Sequence, residues 1–364
     1  MNPETIEITQ KRSSRPIKAV KPLRVNSGPI TQKDLARLAG VSLTTVYNTL
    51  HVKDLVQPET RERIHRLMEE YDYQPNGIAR AMVRGKTQVL GILIPRIDVR
   101  YYSEIVAAIE QSVNNSGYNC IICQHLDDMI KEEREVRMMR ERRVDGVIIR
   151  ASGRREDDVL YRQLERTGVP FVLVDRMIPG LEDHFVGSDG FADSYEITRY
   201  LIRKGHKRIG VMAWAESSQG LGVKYEGYKE ALKHHNIEFD ERLISICSTE
   251  YFAGRQETLE MMRRVGHEKP TAILGLSDTQ IIGVIQALTE LGMSIPDDVA
   301  VANIGGYIDS GIGSLSRLRL TCSVQPCETI GREAARMLSM QIEDGNWRRG
   351  PILCPAQIRV GNSA

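Results

Sequence analysis

The chain has 364 residues, 41% of them hydrophobic and 27% charged, a length that calls for on the order of two or three domains rather than one core. No run approaches the ~18 uninterrupted apolar residues of a membrane-spanning helix, and the polar, basic N-terminus has no apolar signal segment, so a reduced, cytoplasmic setting without membrane association is expected. The net charge of +1 hides an asymmetry: residues 1–86 hold 15 Lys/Arg against 9 Asp/Glu, and the remaining 278 hold 34 against 39. A polyanionic partner, if there is one, is therefore expected at the front.

Residues 1–27 are poor in apolar side chains and carry Lys11, Arg12, Arg15, Lys18, Lys21 and Arg24. They are expected to be disordered, either as a solvated tail or as an arm that contacts phosphates. Order is expected over 28–74. Thr31 can cap a helix with Asp34 as the capping-box carboxylate, Leu35, Leu38 and Ala39 give it an apolar face, and Gly40 ends it. Ser42 caps a second helix, Leu43–Leu50, in which Val46 and Leu50 face inward and Leu43, Thr44, Tyr47 and Asn48 stay outside. A third helix follows Pro58 and buries Ile64, Leu67 and Met68. Two short helices around a glycine turn, closed by a third, make a helix-turn-helix. The exposed row on helix two is small, polar and aromatic, which suits base edges better than a mere solubility surface. Residues 75–86 have the length of two helical turns, too short to be stable alone. Such a hinge helix forms when two copies pack on DNA, with Ala79 allowing close backbones and Met82 projecting as a wedge.

From residue 87 to 364 apolar runs alternate with amphipathic stretches. The runs Val89–Ile94, Tyr118–Cys123, Val144–Arg150, Pro170–Val174, Arg208–Met212, Ala272–Leu276 and Val299–Ala302 read as buried parallel strands. This is a doubly wound α/β pattern with too many units for one sheet, so two lobes are expected, with ligand sites beyond the C-terminal strand ends. Arg150 ends one strand and Asp175-Arg176 end the next; ligand contact and structural salt bridging compete equally for that pair. The six cysteines read as buried thiols. Cys120 and Cys123 form a C-x-x-C inside a strand-like run with no second pair, so neither metal nor cofactor is expected.

The segment from Ile30 to Val46, with Pro58-Glu-Thr-Arg-Glu-Arg-Ile and Tyr73-Gln-Pro-Asn, resembles the LacI/GalR family of bacterial repressors. The resemblance runs through Gly361. It implies that helix two reads the major groove from Leu43, Thr44, Tyr47 and Asn48. It also implies that Thr31, Ser42, Thr45 and Asn76 contact phosphates, and that paired hinge helices open the minor groove with Met82. The chain departs from the family at Tyr47-Asn48, where Ser-Arg is usual, at His51, where Asn is usual, and at Met82, where Leu is usual. An altered half-site preference follows.

For the body the resemblance implies a periplasmic-binding-protein-like fold with lobes joined by three crossings, placed near Gly187, Leu320 and Gly350. It implies effector contacts at Tyr101 and Tyr102, with a Tyr packed at a loop as the competing reading, and at Lys224, Tyr251, Ser277 and Asp278. The family's ligand-gripping Asp is replaced by Gly305. With that carboxylate lost, Arg150, Arg176 and Lys224 are expected to favour an anionic ligand such as a sugar phosphate or sugar acid. The implied protein is a homodimeric regulator, in the repressor sense, that binds a palindromic double-stranded DNA operator. Its effector is a carbohydrate-like small molecule, with a nucleobase as the alternative. A transport solute-binding protein shares the body but has no DNA-reading head. Enzyme activity is not expected: G-x-S-x-G, G-x-x-x-x-G-K-[ST] and H-E-x-x-H are all absent.

Overall fold

The computed structural model describes residues 30–51, 55–74, 85–152, 159–214, 222–248, 250–306, 318–345 and 350–364. The basic tail, the hinge positions Asn76, Ala79 and Met82, and the side chain of His51 lie outside the described residues. By internal contacts the chain divides into two units, Met1–Gly85 and Lys86–Ala364.

In the first unit Thr31 and Asp34 cap each other reciprocally and start α1 (Gln32–Ala39), which Gly40 ends in the left-handed conformation at φ +64. The Ser42 hydroxyl accepts from the Thr45 amide at 3.0 Å and starts α2 (Leu43–His51). Pro58 supplies the first residue of α3 (Pro58–Glu70), where its missing N–H costs nothing. Leu35, Val46 and Ile64 are fully buried at the centre, with Ala39, Tyr73, Leu50, Leu67 and Met68 around them. Each such aliphatic side chain contributes roughly 1.5–3 kcal/mol on burial.

The second unit holds two six-stranded sheets. The first comprises β1 (Val89–Ile94), β2 (Asn119–Gln124), β3 (Gly146–Ile149), β4 (Phe171–Val174), β5 (Phe185–Ser188) and β11 (Ile352–Cys354) in the order β11-β5-β4-β3-β1-β2. The second comprises β6 (Ile209–Ala213), β7 (Ile244–Ile246), β8 (Ala272–Gly275), β9 (Ala300–Gly305), β10 (Thr321–Val324) and β12 (Gln357–Arg359) in the order β12-β10-β9-β8-β6-β7. All described pairings are parallel except β10 with β12. The helices α4 (Arg100–Asn114), α5 (Met129–Glu141), α6 (Val159–Arg166) and α11 (Cys327–Asp344) flank the first sheet, α4 packing with α11 on one face and α5 with α6 on the other. The helices α7 (Gly190–Arg203), α8 (Gly222–His234), α9 (Tyr251–Val265) and α10 (Asp278–Glu290) flank the second, α7 with α8 and α9 with α10. Central strands β3, β4 and β8 are buried along their whole length, as coverage on both faces requires.

The chain passes between sheets three times: from β5 into α7, from β10 into α11, and from β11 into β12. The first crossing falls where it was expected, beside Gly187. The other two come later than Leu320 and Gly350, because β10 stays in the second sheet and β11 returns to the first. These strands are three or four residues long and include Thr321, Ser323 and Pro-flanked Cys354, too short and polar to read as strands in isolation. Cys120 packs against the cluster on one face of the first sheet and Cys123 against the cluster on the other, so their thiols cannot share a metal. Burial pushes the Cys120 thiol up to about 11.

Candidate functional site

On the head, the outward surface of α2 follows from the helix period. Ser42, Leu43, Thr44 and Tyr47 are exposed and Thr45 and Asn48 half-buried, while Val46 and Thr49 face the core. Leu43 and Tyr47, four apart, keep 44% and 37% of their surface in solvent, so apolar and aromatic surface is spent on the outside of a short helix. Thr31 donates its hydroxyl to Asp34 at 2.6 Å, and Ser42 and Thr45 share a hydroxyl contact at 2.8 Å. These side chains hold the first turns of α1 and α2, whose free amides and partial positive charge suit a phosphate.

In the body, the strand ends of the first sheet carry one connected network. Arg150, immediately after β3, bridges two carboxylates: Nη1 donates to Asp127 at 2.7 Å and Nε to Asp175 at 3.1 Å. Its guanidinium lies 5.8 Å from the Tyr102 ring centre, and the Tyr102 hydroxyl donates to Asp175 at 3.0 Å. Burial works against the guanidinium charge, but Tyr102, Asp175 and Asp127 outweigh it and hold Arg150 firmly protonated. Burial pushes the Tyr102 phenol up; Arg150 opposes this and Asp175 reinforces it. Tyr101 and Tyr102 lie in the first turn of α4, edge to face at 5.2 Å, packed against the core cluster.

Backbone strain is concentrated here. Asp175 has φ +66, and the Arg176 amide donates to the Val174 carbonyl at 2.7 Å, a three-residue turn of the rare strained kind. Arg176 is turned inward, donating Nη1 to the Ser152 carbonyl at 2.6 Å. Behind these groups His125 is fully buried. Its Nδ1 accepts from the Asp127 amide at 3.0 Å, so the other nitrogen carries the proton and donates to the Arg150 carbonyl at 2.8 Å. Burial lowers its pKa and keeps it neutral. Glu132, also fully buried, accepts from the Ser152 amide at 3.0 Å and the Tyr161 hydroxyl at 2.6 Å, bracing the end of β3.

The strand ends of the second sheet are built differently. Ser277 caps α10, and Asp278 in its first turn accepts from Asn303 Nδ2 at 2.6 Å and the Gly306 amide at 3.0 Å. Gly305 has φ +143, and a Cβ built on it would lie 2.4 Å from the Asp278 carboxyl group. The carboxylate expected to be missing at 305 is thus supplied by Asp278, which fills the space a side chain there would need. Asn303 and Gln280 are fully buried, yet Asn303 Oδ1 and Gln280 Oε1 have no partner among the described residues. The amide of Gln280 donates to the Ser248 carbonyl at 3.2 Å. Lys224, on α8, places its ammonium 4.9 Å from the Trp214 ring centre, beyond the end of β6. Tyr251 opens α9 and meets Phe252 edge to face at 5.2 Å.

The structure therefore gathers Tyr101, Tyr102, Arg150, Asp175 and Arg176 on one side and Ser277, Asp278 and Gly305 on the other. His125, Asp127, Asn303, Gln280 and Trp214 escaped the sequence reading. All five lie near or just beyond the ends of β2, β6 and β9 or in the first turn after β8; the strand-end rule that picked Arg150 would have found His125, Asp127 and Trp214. Arg150 is already divided between two carboxylates, one of them the uncounted Asp127, and Asp278 restores the acid on the facing sheet. Among the described residues no cluster of His, Cys, Asp and Glu suits a metal ion, and no helix is long and apolar enough to cross a membrane.

A helix-turn-helix head carried in one chain with a two-sheet body of the periplasmic-binding type defines a ligand-responsive DNA-binding transcription regulator. Comparison with known proteins agrees. Residues 31–76 match the family described as bacterial regulatory proteins, lacI family, and residues 87–357 match periplasmic binding proteins and sugar binding domain of LacI family. The chain belongs to the LacI family of bacterial transcription regulators. It is 30% identical over 319 residues to the HTH-type transcriptional repressor PurR of Vibrio atlanticus (strain LGP32), covering 86% of this chain and 92% of that protein. It is 31% identical over 312 residues to the HTH-type transcriptional regulator RegA of Clostridium saccharobutylicum, covering 84% and 90%. Among solved structures, a transcriptional regulator CelR–cellobiose complex is similar with a TM-score of 0.67 at 26% identity, covering 92% of this chain and all of that one. The lac repressor dimer bound to operator shares the fold with a TM-score of 0.81 at 23% identity, covering 92% of this chain and 99% of that one. These relatives are regulators, not enzymes.

Proposed function

We propose that this regulator is a homodimeric repressor of a palindromic operator, and that a neutral, hydroxyl-rich effector of the carbohydrate class, bound between the strand ends of the two sheets, controls its hold on DNA. The observation that carries the effector class is the donor–acceptor balance. The arginine of the first sheet is shared between Asp127 and Asp175, while the second sheet places the Asp278 carboxylate, with the Asn303 amide against it, at its strand ends. Sugar hydroxyls supply donors to such acceptors, whereas a phosphate or carboxylate would meet three aspartates. The solved relative in complex with cellobiose supports the same class.

A thermal-shift screen against neutral sugars, sugar phosphates, sugar acids and nucleobases tests this, because a ligand of the native state raises Tm by linkage. Selective stabilisation by a neutral sugar is expected. Stabilisation only by phosphates, acids or nucleobases would overturn the class. On the DNA side, Leu43, Thr44, Tyr47 and Asn48 read bases, Thr31, Ser42, Thr45 and Asn76 meet phosphates, and Ala79, Met82 and His51 complete the interface. Selection from random duplex DNA is expected to return a palindrome that differs from the common family site opposite Tyr47 and Asn48. Recovery of the common site would refute that reading.

A further inference from the structure

One buried carboxylate lies outside both sites described so far. Asp193, in the first turn of α7, keeps only 4% of its surface in solvent. One carboxyl oxygen accepts from the Ser188 hydroxyl and the other from the Ala356 amide at 3.3 Å. Ser188 ends β5 at the first crossing between the sheets, and Ala356 lies between β11 and β12 in the third. A single side chain thus holds two of the three segments on which the sheets turn.

The same carboxylate feels the charge of Lys224. That lysine is fixed against α7 by close packing of α8. Its Cγ would lie 3.1 Å from a Cβ placed on Gly190, and a Cβ on Gly227 would lie 2.3 Å from the Phe191 carbonyl oxygen, so the two helices admit little slack. Burial raises the cost of the Asp193 charge, and Asp189 adds to it. Ser188, Ala356 and Lys224 offset only part of this, so the Asp193 pKa stays raised and its charge depends on each of the three. The ammonium, meanwhile, sits over Trp214 at the strand end that faces the cleft.

We infer that Asp193 is a positioning residue that couples Lys224 in the cleft to the crossings between the sheets. A ligand that draws the ammonium away weakens the compensation of Asp193, which loosens its hold on Ser188 and Ala356 and alters the hinge between the lobes. The regulatory consequence rests on the effector reading above. The coupling itself does not, and its test uses no effector.

Hydrogen exchange of the full-length protein, read on peptides spanning 186–192 and 353–358, decides it. Lys224→Met is expected to speed exchange of both peptides roughly fivefold, the size of a typical coupling between groups in one network. Lys224→Arg is expected to keep wild-type protection, and Lys229→Met, on the same helix, to leave both peptides unchanged. Asp193→Asn is expected to deprotect the same peptides, and the double variant with Lys224→Met to exchange no faster than Asp193→Asn alone. Wild-type protection in Lys224→Met, or additive effects in the double variant, would overturn the inference. Where Asp193→Asn does not fold, Lys224→Met against Lys224→Arg decides alone.

Discussion

The two halves of the cleft solve the same task by opposite means. At the ends of the first sheet, Arg150, Asp127, Asp175, Tyr102 and His125 form one connected network of hydrogen bonds and ion pairs. At the ends of the second, Asp278 accepts from Asn303 and Gly306, and Asn303 Oδ1 and Gln280 Oε1 have no partner among the described residues. A saturated network resists change and sets shape. An unsaturated one stores the cost of desolvated acceptors and releases it on binding. On the proposed reading, the first sheet is the rigid wall and the second the side that gains from a ligand.

Breaking the rigid wall carries the largest cost. Arg150→Ala strands two carboxylates and is expected to lower stability by about 3–5 kcal/mol, because a shielded charge left without its partner is more expensive than the pair was worth. Denaturant unfolding measures it, and a loss within experimental scatter would mean that solvent already screens the cluster.

On the second sheet Gly305→Asp, which writes the usual family residue into the chain, is expected to destabilise by about 2–3 kcal/mol through positive φ and collision with Asp278. Adding Asp278→Ala to that variant should recover part of the loss. Without such recovery, Asp278 does not occupy the space at 305.

Asp278→Asn is expected to be milder for the fold, about 1 kcal/mol, since Asn303 and Gly306 keep an acceptor. The same change should weaken effector binding at least roughly tenfold, the value of a charge-assisted hydrogen bond. Calorimetry against the ligand found by thermal shift reads it, and unchanged affinity would move the acceptor role elsewhere.

The smallest effect is titrational. The pKa of His125 is lowered by burial, so the folded chain binds that proton less readily than the unfolded one. Its contribution is therefore complete above the ordinary imidazole value of 6.5 and is lost as pH falls below it toward the depressed folded value. Unfolding measured across that window should show stability declining with acidity, and the decline should shrink in His125→Asn. Equal slopes in both proteins would place the titration on another group.

Much of this molecule was legible in its residues. The head was readable because caps, glycine turn and inward positions act within a few residues: Thr31 with Asp34, Gly40, and Val46 with Leu50 four apart. The buried strands β1, β3, β4, β6, β8 and β9 were readable because coverage on both faces demands unbroken apolar runs. The strands β5, β7, β10, β11 and β12, too short or too polar to form such runs, left no such trace, and with β10 and β11 went the positions of two crossings.

The site divides along the same line. Strand ends are a local property, so Arg150, Asp175 and Asp278 could be named from the sequence. Which partner each one takes is not local. Asp127, Arg150 and Asp175 come from three successive strand ends and meet only because β2, β1, β3 and β4 lie side by side in one sheet. Asp278 occupies the space over Gly305 only because β8 pairs with β9, and Asp193 reaches Ala356 across most of the body. The sequence by itself determined the kind of protein and the residues available for its chemistry, since caps, periodicity and motifs depend on near neighbours. The tertiary structure alone decided the charge balance of the cleft and the residue that joins it to the crossings, because those depend on distances between segments far apart in the chain.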